Sequence, residues 1–176
     1  MPVPTSPVPT ARLDLVPLRA EHAEEMATVL ADPALHRFIG GEPLPADALR
    51  TRYERLVSGS DDPAVTWHNW VLRLRADAAL IGTVQATVTP ARYTAEIAWI
   101  TGTPWQGHGY ASEAARALVT HLIRHYVRTI TAHIHPSHSA SAAVARAAGL
   151  SPTTESHEGE TLWRLTLSTR QLPWAT

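Results

Sequence analysis

Two glycines, Gly107 and Gly109, punctuate the stretch Ala95-Glu-Ile-Ala-Trp-Ile-Thr-Gly-Thr-Pro-Trp-Gln-Gly-His-Gly-Tyr-Ala-Ser-Glu-Ala-Ala115. A strand-like apolar run ends there and an alanine-rich helical pattern begins. The glycines let the backbone turn tightly and approach a ligand with no Cβ in the way. The first amides of the new helix have no carbonyl partner inside it, and the positive end of the helix dipole lies behind them. A loop of this kind holds an anion, and a phosphate or pyrophosphate suits it. The bland reading of the same residues is a tight strand–helix turn without a ligand. A dinucleotide fingerprint of the Rossmann type fits less well. Ser112 stands at the third glycine position, and no acid follows about 20 residues on to bind a ribose.

The histidines His133, His135 and His138 are the other cluster of ligand-type side chains. His133 and His135 share a strand face, but no carboxylate or cysteine sits nearby to complete a site, so no metal is expected. The chain has no cysteine, which removes thiolate catalysis and disulfides and fits a cytoplasmic protein. All 15 basic residues are arginine. Schiff-base chemistry and a phosphate-loop lysine are therefore excluded. Net charge is −1 with 18% charged residues, so nucleic acid is not an implied partner. No apolar run reaches about 18 residues, and no membrane span is expected.

The elements that must position this loop follow from periodicity. Arg12 to Leu18 alternates as a strand. Glu21 to Leu30 and Pro45 to Val57 have helical spacing, the first stopped by Asp32-Pro33. Trp67 to Leu74, Leu80 to Val88 and Tyr93 to Ile100 read as an antiparallel meander. Ala111 to Tyr126 is the clearest helix. Thr129 to Ile134 is a strand, Ser139 to Ala148 a helix closed by Gly149, and Thr153 to His157 and Leu162 to Leu167 are two last strands. The pattern predicts an α+β protein with a mostly antiparallel sheet of about seven strands and about four helices. One parallel pairing is expected around the central helix. Residues 1–10 read as a flexible proline-rich lead-in without signal-peptide character, residues 11–168 as one domain, and residues 169–176 as a tail.

Gln106-x-x-Gly109-x-Ala111 resembles the Q/R-x-x-G-x-G/A signature of the GNAT N-acetyltransferase superfamily. Trp105 to Ala115 is similar to the version in its RimJ/RimL-like branch. His135-Pro-Ser-His-Ser-Ala-Ser141 and Val144-Ala-Arg-Ala-Ala-Gly149-Leu150 resemble that branch's P-x-N-x-x-S-x-x-V-x-x-x-x-G-[FL] segment. The resemblance covers about residues 11 to 168 and implies the GNAT fold. It implies that Gln106, Gly107, His108, Gly109, Tyr110, Ala111 and Ser112 hold the pyrophosphate of acetyl-coenzyme A. It further implies that Trp99, Ile100 and Thr101 lend backbone groups to the pantetheine arm, one of whose neighbouring amides stabilises the oxyanion. The position of His138, an asparagine in the family, is implied to touch the coenzyme; histidine still donates or accepts a hydrogen bond.

Acetyl transfer to an amine moves two protons. An alkylammonium must lose one before attack, and the departing thiolate benefits from gaining one. Glu96, the only acid in the apolar strand leading to the loop, is the candidate base, against a reading as a solvated strand residue. By resemblance Ser141 is the candidate acid, against a reading as a helix-capping serine. Asp61, Asp62, Glu155, Glu158 and Glu160 lie in loops that the family places near the acceptor, where they attract a cationic amine or simply solvate turns. The resemblance implies an acetyl-CoA-dependent N-acetyltransferase. Its acceptor is read as a peptide N-terminus, with a small-molecule amine as one alternative and a non-catalytic acyl-CoA sensor as another. A homodimer is common in the family.

Overall fold

The computed structural model describes residues 3–168. Four strands form the antiparallel meander: β2 (Leu13–Pro17), β3 (Thr66–Leu74), β4 (Leu80–Thr89) and β5 (Thr94–Thr101). Their alternation sends Leu13, Leu15, Trp70, Leu72, Val84, Ala86 and Ile97 into a core closed by α4 (Tyr110–Arg124) and α5 (Ser139–Ala147). From α4, Ala114, Ala115, Leu118 and Leu122 are fully buried in it, the three- and four-residue spacing of one helix face. On the opposite side of the sheet Val71 and Leu80 pack with Met26 of α1 (Ala23–Val29) and with Leu49 and Tyr53 of α3 (Ala46–Ser58).

The sheet continues through β6 (Thr129–Ile134), β8 (Glu160–Thr166) and β7 (Ser151–His157) and, with the short edge strand β1 (Val8–Pro9), has the order β1-β2-β3-β4-β5-β6-β8-β7. Among the described strands only β5 and β6 pair in parallel, because α4 carries the chain across between them. Their ladder has three pairs, Thr94 with Thr129, Ala95 with Ile130 and Glu96 with Thr131, and then stops. On its other side β5 stays paired along its whole length, out to Thr101 opposite Gly82. Gly82 makes that close approach possible. A Cβ there would overlap the Ile100 carbonyl oxygen and lie 3.0 Å from the Thr101 Cα.

The expected α+β architecture is present with one strand and one helix more, eight and five among the described residues. The added helix is α2 (His36–Ile39), a single turn beyond the Asp32-Pro33 stop. The added strand is β1 (Val8–Pro9), which pairs with β2 through Val8 and Leu15. Proline is tolerated on such an edge because its missing amide is not needed there. The lead-in, expected to be flexible, is packed where it is described. Val3 is buried, the Pro4 carbonyl accepts from His121 Nε2 at 2.9 Å, and the Ser6 carbonyl accepts from Trp70 Nε1 at 2.9 Å. Thr5 Oγ1 hydrogen-bonds His68 Nδ1 at 2.8 Å. The expected tail, 169–176, lies outside the described residues.

This strap makes stability pH-dependent. Burial holds His68 and His121 below the ordinary histidine value, although the Pro4 carbonyl partly offsets it for His121. The unfolded chain, with histidine near 6.5, therefore takes up protons first. Above that pH both states are neutral and the effect is absent; as pH falls through it, stability is lost. The urea midpoint is expected to drop between pH 7.5 and 5.5, and His68→Gln to shrink that drop. An undiminished slope in the variant would remove His68 from the account.

Candidate active site

Past Glu96 and Thr131, β5 and β6 part, and the opening between them becomes a cleft of about 470 Å³. That volume is in the range of small-molecule sites. Ile97 to Thr101 line one wall and Ala132 to His135 the other. Away from β4, the backbone groups of β5 in this stretch have no strand partner, so an extended ligand can pair with them. Trp99, Ile100 and Thr101 lie along this open edge.

The glycine loop closes the cleft at the start of α4. Gly107 has φ +76° and Gly109, the residue capping the helix, φ +80°, both left-handed. The first helical bond runs from the Glu113 amide to the Gly109 carbonyl at 3.0 Å. Ahead of it, the amides of Tyr110, Ala111 and Ser112 are the unpartnered donors of a helix start, and all three residues line the cleft with Gly107 and Gly109. Gln106 also lines it, and its side-chain amide donates to the Thr101 carbonyl at 3.0 Å. That bond ties the loop to the end of β5. His108 is different: it is exposed and absent from the lining. Its ring nitrogen Nδ1 donates to the Gln106 carbonyl at 2.9 Å, bracing the loop from outside.

The acidic groups divide in a way the sequence does not show. Glu96 is 57% exposed at its side chain and lies outside the lining. Its carboxylate is 3.8 Å from Nε2 of His133, which does line the cleft. Cross-strand partners share a face. Leu162 sits opposite His133, and Glu160 stands two residues away along β8 on the same face. Among the residues lining the cleft, Glu160 is the one carboxylate. The two-residue turn Glu158-Gly159, φ +49° and +82°, places it there and pairs it with His157. Asp61, Asp62, Glu155 and Glu158 are not in the lining.

This architecture is one that known proteins share. The description "Acetyltransferase (GNAT) domain" matches residues 12–151 of this chain. The chain belongs to the GNAT acetyltransferase family. Solved GNAT structures superpose on it at low identity, and what they share with it is the fold. An acetyltransferase of the GNAT family from Bacillus anthracis gives TM-score 0.77 at 17% identity, over 91% of this chain and 98% of that one. RimL, a ribosomal L7/L12 alpha-N-protein acetyltransferase in complex with coenzyme A, gives TM-score 0.78 at 17% identity, over 92% and 98%. The microcin C7 self-immunity acetyltransferase MccE, in complex with acetyl-CoA and AMP, gives 0.71 at 14%, over 89% and 93%. Among curated proteins, none matches the chain in sequence.

At His138, where the resemblance implies an asparagine, the structure shows a helix cap. His138 caps α5, its Nδ1 accepting from the Ser141 amide at 3.4 Å. An asparagine oxygen does the same work at a helix start. Burial, with help from His135, lowers the His138 pKa, so at neutral pH the ring is uncharged and Nδ1 is free to accept. Ser141 is therefore not the cap; it lines the cleft one turn into α5. His138 also stacks on Phe38 of α2, ring centres 4.2 Å apart. Phe38 and Ile39 also line the cleft, beside Ala34 and Leu35, and the sequence reading does not single them out. The available signal was the chain's single phenylalanine beside an isoleucine in a polar stretch. No helix among the described residues is long and apolar enough to cross a membrane.

Proposed function

We propose that this GNAT enzyme moves the acetyl group of acetyl-coenzyme A to a primary amine by direct attack in a ternary complex. The observation that carries the proposal is one cleft lined both by the unpartnered amides of the Gly107–Ser112 loop and by the Glu160 carboxylate. The first suits a pyrophosphate; the second suits a cationic amine that must lose a proton. In this reading the coenzyme lies along the open edge of β5, with Trp99, Ile100 and Thr101 beside its pantetheine arm. Glu160 takes the ammonium proton, directly or through a water. The amine nitrogen then attacks the thioester carbon, and an amide of the Trp99–Thr101 edge stabilises the oxyanion. The C–S bond breaks as the surplus proton on the attacked nitrogen passes through the Ser141 hydroxyl to the leaving thiolate, which gives the amide and the free thiol and leaves Ser141 neutral. No cysteine is present to carry an acetyl-enzyme intermediate.

Glu96 retains a part through His133, whose Nε2 lies 3.8 Å from its carboxylate and which lines the cleft. Glu96→Gln is expected to lower turnover less than tenfold, short of the roughly 10²- to 10⁴-fold of a direct acid–base contact, with coenzyme A affinity unchanged. Unchanged turnover would remove Glu96 from the mechanism.

The acceptor is proposed to be a peptide N-terminus, supported by the fold shared with RimL. A small-molecule amine is the second reading, supported by the likeness to MccE. Thiol release from acetyl-CoA, measured with Ser-, Ala- and Met-starting peptides, free amino acids, polyamines and aminoglycosides, separates them. The chain adds neither a cysteine signal nor lysine amines of its own to that assay. Release with peptides alone supports the first reading; release with small amines alone supports the second. Silence with every amine, while coenzyme A still binds, points to an acyl-CoA sensor.

A further inference from the structure

The first turn of α4 carries a carboxylate, Glu113, three residues from Tyr110, at the helix end where the coenzyme's anionic pyrophosphate is proposed to bind. A negative charge there stabilises the empty helix but opposes an anionic ligand at the same amides. The carboxylate is firmly ionised. Burial alone would raise its pKa, but hydrogen bonds from Thr10 Oγ1 and the Arg12 amide, with the Arg12 side chain, hold it below the ordinary value. Those bonds are 2.6 and 2.8 Å long, and both go to Oε1.

Arg12 meets this charge from the end of β1–β2. Its Nε donates to Glu113 Oε2 at 2.7 Å. Its Nη1 donates to the His108 carbonyl at 2.9 Å. Its Nη2 is the atom that a Cβ on Gly109 would meet, at 3.4 Å. The guanidinium carbon sits 4.5 Å from the centre of the Tyr110 ring. One planar cation thus contacts His108 and Tyr110, lies beside Gly109 between them, and pairs with the acid behind them. Arginine's fork can do this; a point-like ammonium cannot.

We infer that Arg12 is a positioning residue for the coenzyme loop, cancelling the Glu113 charge and fixing the His108 carbonyl so that the loop's amides face a phosphate in a positive field. This rests on the pyrophosphate reading of the loop. The Arg12 amide that bonds Glu113 belongs to the backbone, so it persists in side-chain variants. Arg12→Met therefore leaves Glu113 ionised and uncompensated beside the site.

The test uses the full chain with Arg12→Met, Glu113→Gln and the double variant, each checked for folding by its thermal transition. Affinity is measured for coenzyme A and KM for S-acetyl-pantetheine, a thioester without phosphates. Arg12→Met is expected to weaken coenzyme A binding about tenfold, the scale of one uncompensated charge at a partly exposed site. Adding Glu113→Gln is expected to restore affinity to within about threefold, since the two groups are coupled. KM for the phosphate-free donor and kcat at saturation are expected to stay level. Unchanged coenzyme A affinity in Arg12→Met overturns the inference. So does a double variant as weak as Arg12→Met, or an equal loss with S-acetyl-pantetheine. If the unaltered chain itself binds no coenzyme A, the pyrophosphate reading fails, and this inference with it.

Discussion

Replacing Glu160 by glutamine is expected to lower kcat about 10²- to 10⁴-fold at neutral pH, the range for losing a general base, with coenzyme A affinity unchanged. The expectation rests on placement. Glu160 is the carboxylate lining the cleft, on the face that β8 shares with His133. Glutamine keeps the size and the hydrogen-bonding oxygen but accepts no proton. Nothing in the glycine loop changes, so binding of the phosphates persists. The pH dependence carries a second check. A peptide α-ammonium has a pKa of about 7.7–8.0, so the fraction of free amine rises with pH and relieves the need for a base. The variant's rate is expected to climb more steeply than the wild type's toward alkaline pH. A kcat within about threefold of wild type, well short of an acid–base contribution, would move the proton to another group, with the Glu96–His133 pair next.

Gly82→Ala is expected to damage stability and the site together. Its Cβ would overlap the Ile100 carbonyl oxygen and crowd the Thr101 Cα. Both are backbone atoms of the paired strand, so no side chain can swing aside. Either β4 and β5 separate locally or the end of β5 is displaced. Overpacking of this sort costs about 1–3 kcal/mol, and more where backbone must move. The urea midpoint is expected to fall with an unchanged slope. KM for acetyl-CoA is expected to rise, because Ile100 and Thr101 line the cleft. A destabilised variant with normal KM would show that the coenzyme does not use this end of β5.

Local signals were legible in the sequence. The glycine loop, the strand at Thr129–Ile134 and the crossover between parallel strands each follow from neighbouring residues, and the structure contains them. Readings that depend on distant partners were not. The proline-rich lead-in has no periodicity to announce a strand; Trp70, His68 and His121 hold it, from far along the chain. Helix α2 spans four residues, too few for a repeat. The acids illustrate the point most directly. Glu96 lies in the strand that leads to the loop, yet its side chain points mostly to water. Glu160 looks like one acid among several in a turn. It reaches the cleft because of the β7–β8 turn and the register of β8 on β6. Sheet register is a nonlocal property, and alternation within one strand does not supply it.

The parting of β5 from β6 has a mechanical meaning. The sheet consists of two plates, β1 to β5 and β6 to β8, joined edge to edge by three pairs of residues. Beyond that short seam, rigidity across the sheet comes from the helices that span it. A ligand that pairs along the vacant edge supplies rungs that the polypeptide omits. The occupant is then a structural member of the sheet as well as a reactant, and each turnover removes and replaces part of the fold's own bracing.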